Sequence, residues 1–136
     1  MIIELVKKGI YHFEAGNEGG HSINIDASPA IGGENKGPRP MELLIMGLGG
    51  CSGIDVINIL SKQKIQLEGF KIHIDANREA DAVPSLFNKI HMTFTFIGNV
   101  DKAKAERAVS LSLEKYCSVA KTLEKTAEIT HELKFE

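Results

Sequence analysis

The run from Met41 to Lys62, MELLIMGLGGCSGIDVINILSK, constrains this chain more than any other stretch. It follows Pro40, and proline suits the first position of a helix. Glu42 falls in the first turn, where the helix dipole favours an acid. From Leu43 to Leu60 the apolar residues then fall all round the helical wheel: Leu43, Leu44, Ile45, Met46, Leu48, Ile54, Val56, Ile57, Ile59 and Leu60. A helix apolar on most sides is buried on most sides. At 1.5 Å per residue this one would be about 33 Å long, while a domain of this size has a radius of gyration of roughly 14 Å. One small sheet cannot cover all its faces, so a second subunit is expected to share its core.

A membrane span is the competing use of such a run. Glu42, Asp55 and Asn58 lie inside it with Gly47, Gly49, Gly50 and Gly53, and charges near a bilayer centre are costly. The N-terminus, MIIELVKKGIYHF, is interrupted by Glu4 and lacks the apolar core and cleavage site of a signal peptide. No membrane partner is expected, and the cytoplasm is the expected location. There thiols stay reduced, and a disulfide is more often catalytic than structural.

The 136 residues suit one domain, spanning 1–136. Its N-terminal part reads as strands, with a turn at Asn17-Glu18-Gly19-Gly20 and alternation from His21 to Asp26. The Pro/Gly-rich stretch from Pro29 to Pro40 is the longest loop. Phe70 to Asn77 and Ile90 to Phe96 alternate as half-buried strands, and Ala127 to Glu136 does so again. Asp101 is a good N-cap for a helix running through Lys115, and Cys117-Ser118 opens a shorter helical segment, Val119 to Glu124. The pattern is α+β with a mostly antiparallel sheet.

Charge removes one class of partner. Formal net charge is −2, from 16 basic and 18 acidic residues, with no polybasic run. Nucleic-acid binding therefore lacks its main electrostatic contribution. With no Trp and 6% aromatics, base stacking is poorly served as well.

Two cysteines, Cys51 and Cys117, are too few for a disulfide scaffold. They form no CxxC, and no zinc-ligand spacing surrounds them, so no metal is expected. GLGGCSG is not a dinucleotide fingerprint, because Ser52 fills the third glycine place and no strand precedes it. His12, His21, His73, His91 and His131 are scattered, and His73 and His91 fall on polar strand faces.

Cys51 shares one polar stripe with Asp55, Asn58 and Lys62, at helical spacing on an otherwise apolar helix. Each glycine beside it costs ~1 kcal/mol relative to alanine. Close approach of another backbone, or room for a small substrate, would account for them. Two readings of Cys51 stand open here: a small buried hydrophobe or a reactive thiol. Asp55 opposes thiolate formation, so a cation must offset it; Arg39 is the nearest candidate in sequence. Cys117 sits at a helix start, where thiol pKa falls, or fills a cap position by chance. Spacing does not say whether the two sulfurs meet.

The segment PRPMELLIMGLGGCSGIDVINIL, taken with KYCSVAKTL before the last strand, resembles the osmotically induced and organic hydroperoxide resistance (OsmC/Ohr) family. The likeness covers nearly the whole chain. It implies an intertwined α+β homodimer, with mostly antiparallel sheets around a long buried central helix. It also implies a thiol-dependent peroxidase acting on organic hydroperoxides, with Cys51 as the peroxidatic cysteine and Cys117 as the resolving one. A dithiol, lipoyl-type in part of the family, would restore the reduced pair, and no metal or bound cofactor is implied. The alternative is an OsmC-like small-molecule-binding or redox-sensing dimer.

The peroxidase branches resemble one another in an acid directly after the helix-opening proline and in an arginine from the N-terminal strands that pairs with it. Here Met41 takes the acid's place, Glu42 follows one residue later, and no arginine precedes Arg39. Arg39 with Glu42 is the expected substitute pair. Glu42 and Cys51 lie about 180° apart on one straight helix, so Glu42 would serve a sulfur of the partner subunit or require a bent helix.

Overall fold

The computed structural model describes residues 1–136. Two compact units form, Met1–Leu44 and Ile45–Glu136. The helix α1, Pro40–Lys62, begins in the first and continues through the second.

The first unit is a meander of β1 (Ile3–Lys7), β2 (Phe13–Asn17) and β3 (Ser22–Ile25), antiparallel in the order β1-β2-β3. The expected turn joins β2 to β3. The Asn17 side chain accepts from the His21 N–H at 3.0 Å, and Gly20 takes a φ of 81°, open to glycine at little cost. The following long loop is ordered from within by Asp26, which is 1% exposed. Its carboxylate accepts from the backbone N–H groups of Ala27 (2.7 Å), Glu34 (3.1 Å) and Lys36 (3.1 Å). The chain passes so closely here that a Cβ on Gly33 would run into the Ala27 carbonyl, and one on Gly37 into that of Asn24.

In the second unit β4 (Gly69–Arg78) pairs antiparallel with β5 (Phe87–Ile97), and β5 pairs parallel with β6 (Glu128–Phe135). A parallel pair needs a long crossover. The crossover holds α2 (Lys102–Leu111), a wide π-type turn at Ser112–Tyr116, and α3 (Ser118–Leu123). Asp101 caps α2, its side chain accepting from the Lys104 N–H at 2.9 Å. The sequence reading ran this helix on to Lys115; the structure widens it into the π-type turn from Ser112.

The second unit's core lies between one face of its sheet and the helices. Ile90, Met92, Phe94 and Phe96 of β5 are buried with Leu48, Val56 and Leu60 of α1 and Ala105, Ala108 and Val109 of α2. Each large apolar side chain removed from water contributes about 1.5–3 kcal/mol. Gly49 and Gly53 let α1 approach β4: an added Cβ would stand 3.1 Å from Cδ1 of Ile74 and of Ile72 respectively. The close approach is thus to strand side chains rather than to a backbone. Gly47 and Gly50 face open space.

Within this chain α1 is covered along one stripe. Leu44, Met46, Ile54 and Ile57 remain exposed, Ile54 by 70%. This is the uncovered apolar area that the length of the helix leads one to expect. By length and composition the helix could cross a membrane, but its Asp55 is engaged by a serine of the crossover, as described next.

Candidate redox site

Cys51 lies in the middle of α1, one turn before Asp55, so their side chains leave the same face of the helix. Cys117 arrives from the crossover as the N-cap of α3. Its backbone is extended (φ −72°, ψ 102°), and its sulfur accepts from the Ala120 N–H at 3.3 Å. The two sulfurs and a carboxylate oxygen of Asp55 all lie within 4.8 Å of one another. Residues far apart in the sequence therefore meet. Both cysteines are free thiols, Cys51 partly exposed and Cys117 fully buried.

Two serines hold this arrangement. The Ser52 hydroxyl donates to the Leu48 carbonyl at 2.6 Å and lies 3.6 Å from the Cys117 sulfur. The Ser112 hydroxyl reaches Asp55 Oδ2 at 3.1 Å and the Ser52 carbonyl at 3.4 Å. The π-type turn then closes on Cys117, whose N–H donates to the Ser112 carbonyl at 2.7 Å. Such turns are rare and occur often at functional sites; here the extra width sets Ser112 against Asp55 and Cys117 against Ser52. Sequence reading gives neither Ser52 nor Ser112 a part in the site. A polar residue on the buried side of a helix just ahead of a cysteine was the only signal available for Ser112.

Burial pushes the Cys117 thiol above its ordinary pKa, and the neighbouring Cys51 adds to the rise; the Ala120 N–H opposes it without cancelling it.

The polar stripe continues into a groove. Asp55, Asn58 and Lys62 line a hollow of about 490 Å³ together with Leu111 and Tyr116. Small-molecule sites are commonly of this size, and Asp55 joins this one to the cysteine pair.

A family model described as OsmC-like protein matches residues 33–132, a span that includes both cysteines and the groove. This chain belongs to the OsmC-like family. Among its relatives, Protein YhfA of Escherichia coli strain K12 is 42% identical over 113 residues, covering 82% of this chain and 81% of its own. A crystal structure of a hypothetical protein from Aquifex aeolicus VF5 superposes with a TM-score of 0.82 at 32% identity, over 99% of this chain and 96% of that one. The organic hydroperoxide resistance protein OhrB of Bacillus subtilis shares the fold, with a TM-score of 0.65 at 21% identity and 98% of each chain covered.

The remaining sequence candidates, Arg39 and Glu42, lie at the opening of the OsmC-like helix. The Glu42 carboxylate accepts from the Arg39 backbone N–H at 2.8 Å, the reach-back of a capping box. The Arg39 guanidinium donates to the Gly37 carbonyl at 2.7 Å and to Asn35 Oδ1 at 2.6 Å. Their side chains form no ion pair with each other. Asp26, which orders the loop leading to Arg39, was not singled out from sequence. Burial alone would raise its carboxyl, but the N–H groups of Lys36, Ala27 and Glu34 and the charge of His12 outweigh burial and hold it below its ordinary value.

Proposed function

We propose that this OsmC-like protein is a thiol-dependent peroxidase that reduces organic hydroperoxides through Cys51 and Cys117. The observation that carries the reading is the meeting of the two sulfurs, one partly exposed and one buried and protonated. The Cys51 thiolate attacks the distal oxygen of ROOH. The O–O bond breaks, Cys51 becomes a sulfenic acid, and RO⁻ takes a proton to leave as the alcohol. Cys117 then attacks the Cys51 sulfur, a disulfide forms, and water leaves with the Cys117 proton. Closing an S–S bond of about 2.05 Å requires the sulfurs to move toward each other.

A dithiol reductant, lipoyl-type or similar, returns the pair to its reduced state, which suits a reducing compartment such as the cytoplasm. The groove along Asp55, Asn58 and Lys62 would take the organic part of the hydroperoxide, with Leu111 and Tyr116 as its apolar wall. Arg39 with Glu42 is the cation–acid pair assigned to support the thiolate. In that role the guanidinium would have to leave Gly37 and Asn35, and in a homodimer the thiolate supported can belong to the partner. The exposed Leu44, Met46, Ile54 and Ile57 form the face such a dimer would cover.

The groove also favours a second reading, a small-molecule-binding or redox-sensing dimer with little turnover. Thiol counting separates the two. A peroxidase mixed with cumene hydroperoxide loses two thiols per chain within seconds and regains them with a dithiol. A slow sensor or binding protein does so over many minutes or not at all.

A further inference from the structure

We infer that the reduced protein also holds one thiophilic divalent cation, with zinc as the best fit, on Cys51, Asp55 and Cys117. Sequence spacing offered no such site, because the ligands come from the middle of α1 and from the cap of α3. The fold assembles them: two sulfurs and a carboxylate oxygen, all within 4.8 Å of one another. Around a tetrahedral zinc, with Zn–S near 2.3 Å and Zn–O near 2.0–2.2 Å, neighbouring ligand atoms stand about 3.5–3.8 Å apart. The ligand atoms, now within 4.8 Å of one another, need to close by at most about 1.3 Å to reach that spacing.

The surroundings also suit a metal centre. Ligating carboxylates are usually oriented by a second hydrogen bond, and Ser112 donates to Asp55 Oδ2, which fixes the carboxylate. The Ala120 N–H steadies the Cys117 sulfur from behind. Two thiolates and one carboxylate select zinc-like ions over magnesium or calcium, which prefer all-oxygen sites. Cys51 and Asp55 are only half-buried, so the cation has a way in, and a fourth position is left for water. Binding releases the two thiol protons and involves no redox change. It occupies both sulfurs, so it excludes peroxide attack and disulfide closure while the metal stays.

The test uses full-length reduced protein without peroxide, so its outcome does not depend on the peroxidase reading. Zinc is titrated against a chromophoric chelator, and cobalt serves as the spectroscopic probe. One equivalent per chain is expected, with thiolate-to-cobalt charge-transfer absorption. Cys51→Ser, or alkylation of Cys51, abolishes tight binding, and Asp55→Asn weakens it at least tenfold. Asp55→Asn keeps both cysteines and can still accept from Ser112, so it remains informative if a cysteine variant folds poorly. Less than a tenth of an equivalent bound would overturn the inference. So would Cys51→Ser and Asp55→Asn binding as tightly as the parent, because the metal would then sit elsewhere, on surface histidines.

Discussion

The Ser52 hydroxyl lies 3.6 Å from the Cys117 sulfur while its own proton is directed to the Leu48 carbonyl at 2.6 Å. The two side chains touch inside the core, where Ser52 works against the rise that burial imposes on the Cys117 thiol. Both residues are fully buried. Ser52→Ala removes that contact and the buried hydrogen bond to the Leu48 carbonyl. A loss of about 0.5–1.5 kcal/mol is expected, read as a lower urea midpoint at unchanged slope.

Burial and protonation together set the order in which the thiols react. Iodoacetamide added to the native reduced protein is expected to label Cys51 and spare Cys117; in denaturant both label. Mass spectrometry of the two cysteine peptides at successive times checks this. Equal native rates would mean that Cys117 is not closed off as described.

Asp26 makes the first unit sensitive to acid. Its folded pKa lies below the unfolded value near 3.8, so its contribution is complete above that value. It is lost as pH falls through the lower folded pKa. Asp26→Asn sets an amide among three N–H donors and is expected to destabilise the loop at neutral pH. It should also flatten the acid limb of a stability–pH curve. An unchanged acid limb would assign the sensitivity to other carboxylates.

Much of this fold could be read from residues alone. Pro40 and Glu42 marked the start of α1, Asp101 the cap of α2, and two-residue alternation marked β4, β5 and β6. Alternation does not distinguish parallel from antiparallel partners, so the parallel pairing of β6 with β5 had no local sign. The π-type turn was hidden for a similar reason: Ser112 and Leu113 continue the buried stripe of α2, and the partner of Ser112 is Asp55 on a different helix. Cys51 and Asp55 were legible as one face because they share a helix. The arrival of Cys117 beside them depends on how the crossover packs, which no spacing encodes. Asp26 escaped notice because its partners are backbone N–H groups, which carry no residue signature.

The helix entrance separates a structural from a supporting role. Glu42→Ala removes the acceptor of the Arg39 N–H and is expected to cost about 1 kcal/mol, the usual loss for a helix cap. Arg39→Lys cannot span Gly37 and Asn35 with one planar fork. If the pair supports the thiolate, hydroperoxide reduction by Arg39→Lys falls at least tenfold, with an upward shift of the pH–rate profile. An unchanged profile would leave both residues as supports of loop and helix.

Ile54 and Ile57 test the expected homodimer. Both are exposed large apolar residues on α1, and a charge on a covered face is costly. Ile54→Glu with Ile57→Lys is expected to halve the mass measured by light scattering, with helical content retained. A variant that keeps the parent's mass would place the dimer face elsewhere.

The central claim is that Cys51 attacks the peroxide. Cumene hydroperoxide consumption should be followed with purified protein and an excess of dithiol, comparing the parent with Cys51→Ser. Consumption by Cys51→Ser is expected to fall to the rate of dithiol alone, while Cys117→Ser turns over once and stalls as a sulfenic acid. Cys51→Ser consuming hydroperoxide as fast as the parent would contradict the account.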